Sequence, residues 1–235
     1  MEDYFVSIGD KPFRARQVYE WLWNKSLHDF DEMTNLSLET RKKLNEHFFI
    51  KNLSVADRQV SNDKTIKCAF RLFDGKIVEG VLIPTEKRMT ACISSQVGCS
   101  LTCAFCATGK LKRMRNLDAD EIYDQVVYMR HEAENTYGIQ LSNIVYMGMG
   151  EPLLNYKSTL ESVEKIKAMP PSGLGMAPKR VTVSTAGIAK MIMKLGDDKV
   201  KFNLALSLHA ANDEKRNKIM PINEQNSLES LAEAL

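Results

Sequence analysis

Cys99, Cys103 and Cys106 fall within eight residues, spaced C-x3-C-x2-C, with Phe105 directly before the last of them. Thiolates are the ligands that iron–sulfur clusters use. A four-iron cluster has four corners, so three cysteines leave one iron without a protein ligand. An electron-transfer cluster fills that corner; a catalytic one keeps it open. The spacing therefore predicts chemistry at iron. A structural zinc site, with Cys92 or a histidine as fourth ligand, is the alternative, although zinc ligands more often come as two separated C-x2-C pairs. Such a site predicts a zinc-stabilised RNA-binding module using the basic stretch Lys110, Lys112, Arg113 and Arg115.

The 235 residues are 44% hydrophobic and 26% charged, which excludes both a disordered chain and a membrane protein built of apolar spans. The start, Met1-Glu-Asp-Tyr, lacks the basic and apolar regions of a signal peptide, which predicts a cytoplasmic location. Five cysteines, three of them crowded into one loop, argue against a disulfide framework. A net charge of +2 excludes a polycation, yet cations cluster just after the cysteine loop. That cluster reads either as a solvated face or as a phosphate-backbone contact.

The elements that position these residues fall into three stretches. Residues 1–55 read as a small helical accessory domain, with one helix starting at Pro12 and carrying Val18, Trp21 and Leu22, and another from Leu38 to Phe48 capped by Ser37. Arg14, Arg16 and the two tryptophans suit RNA contact, though packing is the commoner task of a tryptophan. Residues 56–89 read as a hairpin linker: Ile66, Cys68, Phe70 and Leu72 alternate with polar or small residues, Asp74-Gly75 turns, and Lys76 to Ile83 returns. From residue 90 to 235 strands alternate with helices. The predicted strands are Ala91–Ser95, Asn143–Met149, Arg180–Ala186 and an apolar, buried Phe202–His209. The predicted helices begin at the Asp118-x-x-Glu121 capping box and near Ser158, Ile188 and Leu228. This βαβα order predicts an α/β fold with a parallel sheet or barrel. Four such strands and a helix just begun at the last residues predict a core incomplete at its C-terminus.

The ordered segments VEGVLIP (78–84), CISSQVGC (92–99), CAFCATG (103–109), MGMGEPLLN (147–155), RVTVSTAG (180–187), SLH (207–209) and MPIN (220–223) resemble those of the radical S-adenosylmethionine (SAM) enzymes. They are most similar to the dual-specificity 23S rRNA and tRNA adenine C2-methyltransferases. The resemblance implies a partial (β/α) barrel in which Cys99, Cys103 and Cys106 hold a [4Fe–4S] cluster whose open iron binds SAM. One-electron cleavage there gives a 5′-deoxyadenosyl radical, which suits a ring carbon too weakly nucleophilic for ordinary methyl transfer. The resemblance also implies that Gly150 and Glu151 meet the SAM amino group, that Ser184, Ser207 and His209 contact the rest of the cofactor, and that Phe105 packs near its adenine. Glu79 is implied as the base at C2, and Cys92 as the thiol that releases product by forming a disulfide with a second cysteine, the methyl carrier. Judged by their surroundings alone, Glu79 reads as a solvent-facing strand residue, Cys92 as a small buried hydrophobe and Gly150-Glu151-Pro152 as a strand-ending turn. All five cysteines precede residue 107, so no carrier is present and turnover by this chain alone is not expected. The implied partners are 23S rRNA, tRNA and an electron donor such as flavodoxin or ferredoxin, with the chain a monomer. Adenine C8-methylation, as in the related resistance enzymes, is the neighbouring alternative.

Overall fold

The computed structural model describes every residue except Asn24, Ser26 and His28. The chain forms two compact units, one of Met1–Asn52 with Glu164–Met176 and one of Leu53–Val163 with Ala177–Leu235. Among the described residues no helix is long and apolar enough to cross a membrane.

The first unit contains α1 (Glu2–Ser7), α2 (Arg14–Trp23) and α3 (Leu38–His47). Pro12 sits in the turn before α2, where its carbonyl accepts from the Ala15 N–H at 3.0 Å. The Ser37 hydroxyl caps α3 by accepting from the Thr40 N–H at 3.1 Å, satisfying a donor that the first turn leaves free. Ala15 and Val18, three residues apart on α2, close with Phe5, Phe30, Met33, Leu36 and Leu44 into one apolar core. Arg14 is engaged within this unit, donating to Gln17 at 2.9 Å and lying 3.7 Å from Asp10. The Trp21 indole donates to Asn35 at 2.6 Å.

The second unit is built on a seven-stranded sheet. Its strands include β1 (Ser54–Val60), β2 (Ile66–Arg71), β3 (Ile77–Pro84) and β4 (Met89–Cys92), which pair antiparallel in sequence order. A separate two-stranded clasp joins β5 (Gln96–Val97) to β6 (Arg115–Asn116). Then come α4 (Ala119–Tyr137), β7 (Asn143–Tyr146), α5 (Tyr156–Lys167, whose residues from Glu164 on belong to the first unit), β8 (Val181–Thr185), α6 (Ala189–Asp197), β9 (Asn203–Leu206), α7 (Asp213–Ile219) and α8 (Leu228–Ala234). β4, β7, β8 and β9 are parallel neighbours, with Cys92 opposite Val145, Tyr146 opposite Val183 and Thr185 opposite Leu206. Their carboxyl ends thus share one edge, which is where open α/β sheets bind ligands.

The period-two pattern of the hairpin gives the expected faces: Ile66, Cys68 and Phe70 on β2 and Val78, Gly80 and Leu82 on β3 are buried. Gly80 is required by packing, because a Cβ there would lie 2.7 Å from the Phe70 ring and 2.9 Å from the Met129 methyl on α4. α4 starts at the capping box, with the Glu121 carboxylate accepting from the Asp118 N–H at 2.9 Å, and stops at Gly138 in the left-handed region. β1 is the exposed edge strand, carries Asp57 and Arg58 and is broken by a bulge between Val55 and Asp57, devices that discourage further pairing. Two expectations need correction. β9 is parallel to β8 as expected but is less buried than its apolar composition suggests: Asn203 is exposed and Leu204 to Leu206 are half-buried. Arg115 is not a free cation for phosphate: its guanidinium is forked onto the Glu121 carboxylate at 2.6 and 2.7 Å and also reaches Asp74 at 2.7 Å.

Candidate cofactor site

The cysteine loop leaves the sheet edge through β5 and returns through β6. Gly98 opens it with φ +74°, where a Cβ would stand 2.3 Å from the Lys112 carbonyl oxygen, so the position admits no side chain. Within the loop the Cys106 N–H donates to the Cys103 carbonyl at 3.1 Å, and the Leu101 N–H approaches the Cys99 sulfur at 3.4 Å. The Ala104 N–H donates to Ile219 at the end of α7 at 2.9 Å, tying the loop to the far end of the unit. Burial pushes the Cys99 and Cys103 thiols above their ordinary range. A bound cation reverses that preference, because metal ligation requires the thiolate.

Facing this loop is the turn after β7. The Gly148 N–H donates to Ile93 at 3.0 Å, Met149 N–H to the Ser94 hydroxyl at 2.8 Å, and Glu151 N–H to the Gln96 amide oxygen at 2.9 Å. Gly150 has φ +98°, and a Cβ there would meet the Gln96 side chain at 2.5 Å. Asn155 closes the turn, donating to the Ser95 and Leu117 carbonyls at 2.8 and 2.7 Å. The polar residues of segment 92–99 are thus the frame on which segment 147–155 is laid.

Glu151 is 3% exposed. One carboxylate oxygen accepts from the Leu153 N–H at 3.0 Å and the other from the Ala186 N–H at 2.7 Å, bridging the turn after β7 to the end of β8. Burial raises its pKa, opposed by the hydrogen bonds from Ala186, Leu153 and Thr185. Ser184 at the end of β8 and Ser207 just past β9 face each other with hydroxyls 3.4 Å apart. His209 follows with φ +56°, a left-handed conformation uncommon outside glycine, and its ring lies 4.1 Å from that of Phe105.

Cys99, Cys103, Phe105, Cys106, Gly150, Glu151, Ser184, Ser207 and His209 line one cavity of about 260 Å³. The structure does not bring Glu79 and Cys92 into its lining. Glu79 lies on β3 next to the same sheet edge, half-buried, with its backbone oxygen accepting from the Ser94 hydroxyl at 2.5 Å and its carboxylate 2.6 Å from Lys67. Cys92 ends β4, and burial pushes its thiol up to about 11 against the opposing hydrogen bond from the Met147 backbone. Among the described residues, no group of three or more His, Cys, Asp and Glu side chains is spaced to hold a single metal ion. A cluster is a larger guest than one ion, and the set of three thiols beside hydroxyls, a ring pair and a glycine turn fits a cluster with an organic cofactor on it.

Sequence reasoning missed Arg216. It is fully buried on α7 and donates to the Leu208 and Ser207 carbonyls at 3.1 and 3.3 Å, to Ala186, and to the Asn223 amide oxygen. It therefore holds the ends of β8 and β9, and Asn223 of segment 220–223 orients it. Its neighbours in sequence are polar and show no periodicity, so only its place four residues before Met220 signalled it.

This sheet edge, cysteine loop and cavity define a radical SAM protein, and the Radical SAM superfamily model matches residues 93–235. A second model, for the ribosomal RNA large subunit methyltransferase N-terminal domain, matches residues 1–50. The "Probable dual-specificity RNA methyltransferase RlmN" of Cytophaga hutchinsonii is 61% identical over this whole chain, which covers 64% of that relative. The protein of the same name from Flavobacterium psychrophilum is 56% identical, with 67% of its length covered. The crystal structure of a radical SAM methyltransferase from Sphaerobacter thermophilus superposes with a TM-score of 0.90 at 37% identity, over 99% of this chain and 68% of that one. The chain belongs to the RlmN family of dual-specificity RNA methyltransferases. It spans about two thirds of the length of these relatives (64% and 67%). Membership implies a [4Fe–4S] cluster and SAM as cofactors.

Proposed function

We propose that this chain carries the radical-generating part of an enzyme that methylates C2 of adenine in 23S rRNA and tRNA. One observation carries the reading: nine of the eleven residues expected at the site line a single cavity at the carboxyl edge of the parallel strands. When bound, the cluster and SAM would supply one-electron cleavage of a carbon–sulfur bond. Cys99, Cys103 and Cys106 hold the cluster. Gly150 lets the backbone of the turn approach the SAM amino group without a side chain in the way. Glu151 fixes that turn to β8, and its negative charge stands behind the amino group. Ser184 and Ser207 present hydroxyls to the rest of the cofactor, and the Phe105–His209 ring pair presents a flat surface to its adenine.

Glu79 takes the C2 proton onto a carboxylate oxygen, and Lys67, now 2.6 Å away, keeps that side chain in place until a base arrives. The Cys92 thiol holds its proton at neutral pH; when its sulfur bonds to the carrier sulfur, the carrier's sulfur–carbon bond breaks, the electron pair of that bond leaves with the carbon on the RNA base, and the thiol proton is released. No cysteine follows Cys106, so these residues supply the radical site and not the carrier. RNA is the substrate, a small redox protein the electron source, and the cytoplasm the compartment; the chain acts as a monomer.

The test is anaerobic reconstitution with iron and sulfide, then assay for 5′-deoxyadenosine with dithionite and SAM. The unaltered chain forms the product and the Cys103→Ala variant does not. Product from that variant, or a chain that takes up zinc and no cluster, overturns the reading. Mapping the methyl group on RNA treated with a full-length relative separates C2 from C8.

A further inference from the structure

On its outer side the cysteine loop borders a second depression, lined by Ser100, Thr102, Lys110, Leu111, Lys112 and Arg113. Of the cofactor cavity's lining it shares Cys99 alone, so that cysteine belongs to the wall between the two. The strip that carries the cations is fastened to the ligand itself: the Cys99 N–H donates to the Leu111 carbonyl at 3.4 Å, Cys99 bridges to Lys112, and the Met114 N–H donates to Val97 at 2.8 Å. Its side chains nevertheless point outward. Leu111 is 53% and Met114 67% exposed, interleaved with Lys110, Lys112 and Arg113, and among the described residues none of these three cations is ion-paired. Arg115 is already neutralised by Asp74 and Glu121 and contributes nothing to the patch.

We propose that this strip is the docking surface for a small acidic one-electron carrier protein; the inference rests on the proposed function. The cofactor cavity must remain open to SAM and to the RNA base, whereas an electron needs only a short path to the cluster, and Cys99 offers one through the outer wall. Exposed aliphatic side chains among unpaired cations match the apolar centre and charged rim of a protein interface; phosphates would meet the cations and leave Leu111 and Met114 without a partner. The transfer balances simply: the carrier loses one electron, the cluster gains one, and no proton or atom moves.

The experiment uses the whole chain, unaltered and as the triple variant Lys110→Glu, Lys112→Glu, Arg113→Glu, with flavodoxin as the probe. Association of oxidised flavodoxin with the iron-free chain is measured by interferometry, and reduction of the reconstituted cluster is followed in stopped flow with fully reduced flavodoxin or with dithionite. At low salt the triple variant is expected to lose about tenfold in flavodoxin association and in flavodoxin-driven reduction. Its dithionite-driven reduction is unchanged. Equal flavodoxin association for the two proteins overturns the proposal, as does a variant that loses affinity for an RNA fragment and keeps flavodoxin. Failure of the unaltered chain to take up a cluster instead counts against the proposed function, while the iron-free association still decides the docking surface.

Discussion

On the antiparallel flank, β2 and β3 bury Ile66, Cys68, Phe70, Val78 and Leu82. At the carboxyl edge of the parallel strands polar groups are buried among the apolar ones: Ser94, Gln96, Gln125, Glu151, Asn155 and Arg216. Apolar burial is non-directional and tolerates small shifts. A buried polar group must meet its own partner or lose on the order of 1–3 kcal/mol. Gln125 illustrates the second regime, accepting from the Ser94 N–H at 2.9 Å while donating to the Ser94 and Glu121 carbonyls at 3.1 Å each. The flank supplies stability; the edge supplies position, and its partners come from sequence segments up to sixty residues apart, as in Asn155 to Ser95.

The largest effect that separates them is Cys103→Ala. Cleavage of SAM is lost altogether, while the iron-free protein melts within about 0.5 kcal/mol of the unaltered chain because the side chain is part-exposed and packs no core. Retained cleavage would break the division. Phe70→Ala is the reverse case: the ring is fully buried and stacks edge-on to Tyr128 at 5.2 Å, so unfolding free energy falls by about 3–5 kcal/mol while the folded fraction binds SAM as before. Denaturant titration and calorimetry read the two quantities separately.

Arg216→Leu lies between. It orphans carbonyls at Ala186, Ser207 and Leu208, costs about 1–3 kcal/mol and weakens SAM binding roughly tenfold. Arg216→Lys keeps the charge and loses the fork, and does not restore binding. Unchanged affinity in both would place Arg216 with the flank. The smallest effect is at Cys92. With the folded thiol at about 11, iodoacetamide labelling at Cys92 rises about tenfold per pH unit from pH 8 towards that value. An unfolded thiol titrates near about 8.5, so the folded state keeps the proton where the unfolded state releases it. The associated stability is present below that pH and is lost as pH climbs towards about 11. Labelling that is flat across this range would show the thiol free of its burial.

Periodicity made the flank readable: alternation on β2, the Asp74-Gly75 turn and the Asp118–Glu121 box all stand where local chemistry puts them. The edge was readable only as segments, because what Gln96, Asn155 and Arg216 do depends on partners far away in sequence. β9 shows the limit from the other side. Its apolar composition resembles that of a covered strand, yet Leu204 to Leu206 are only half-buried among the described residues. Glu151, expected at the site, lines the cavity, but its geometry was not legible, since the backbone N–H groups that engage both its oxygens carry no sequence signature.

That shared carboxylate bears on any attempt to transplant the site. Because Glu151 is joined to Gln96 through its own N–H and to Ala186 through its side chain, the turn cannot be exchanged between two homologues as a cassette. A chimera that swaps residues 147–155 alone inherits the host's residue at 96 and the host's spacing at 186. Grafts that carry residues 94–96, 147–155 and 184–187 from one donor keep the joints at Gln96 and Ala186 together, which leaves the backbone carbonyls of Ile93 and Leu117 to come from the host.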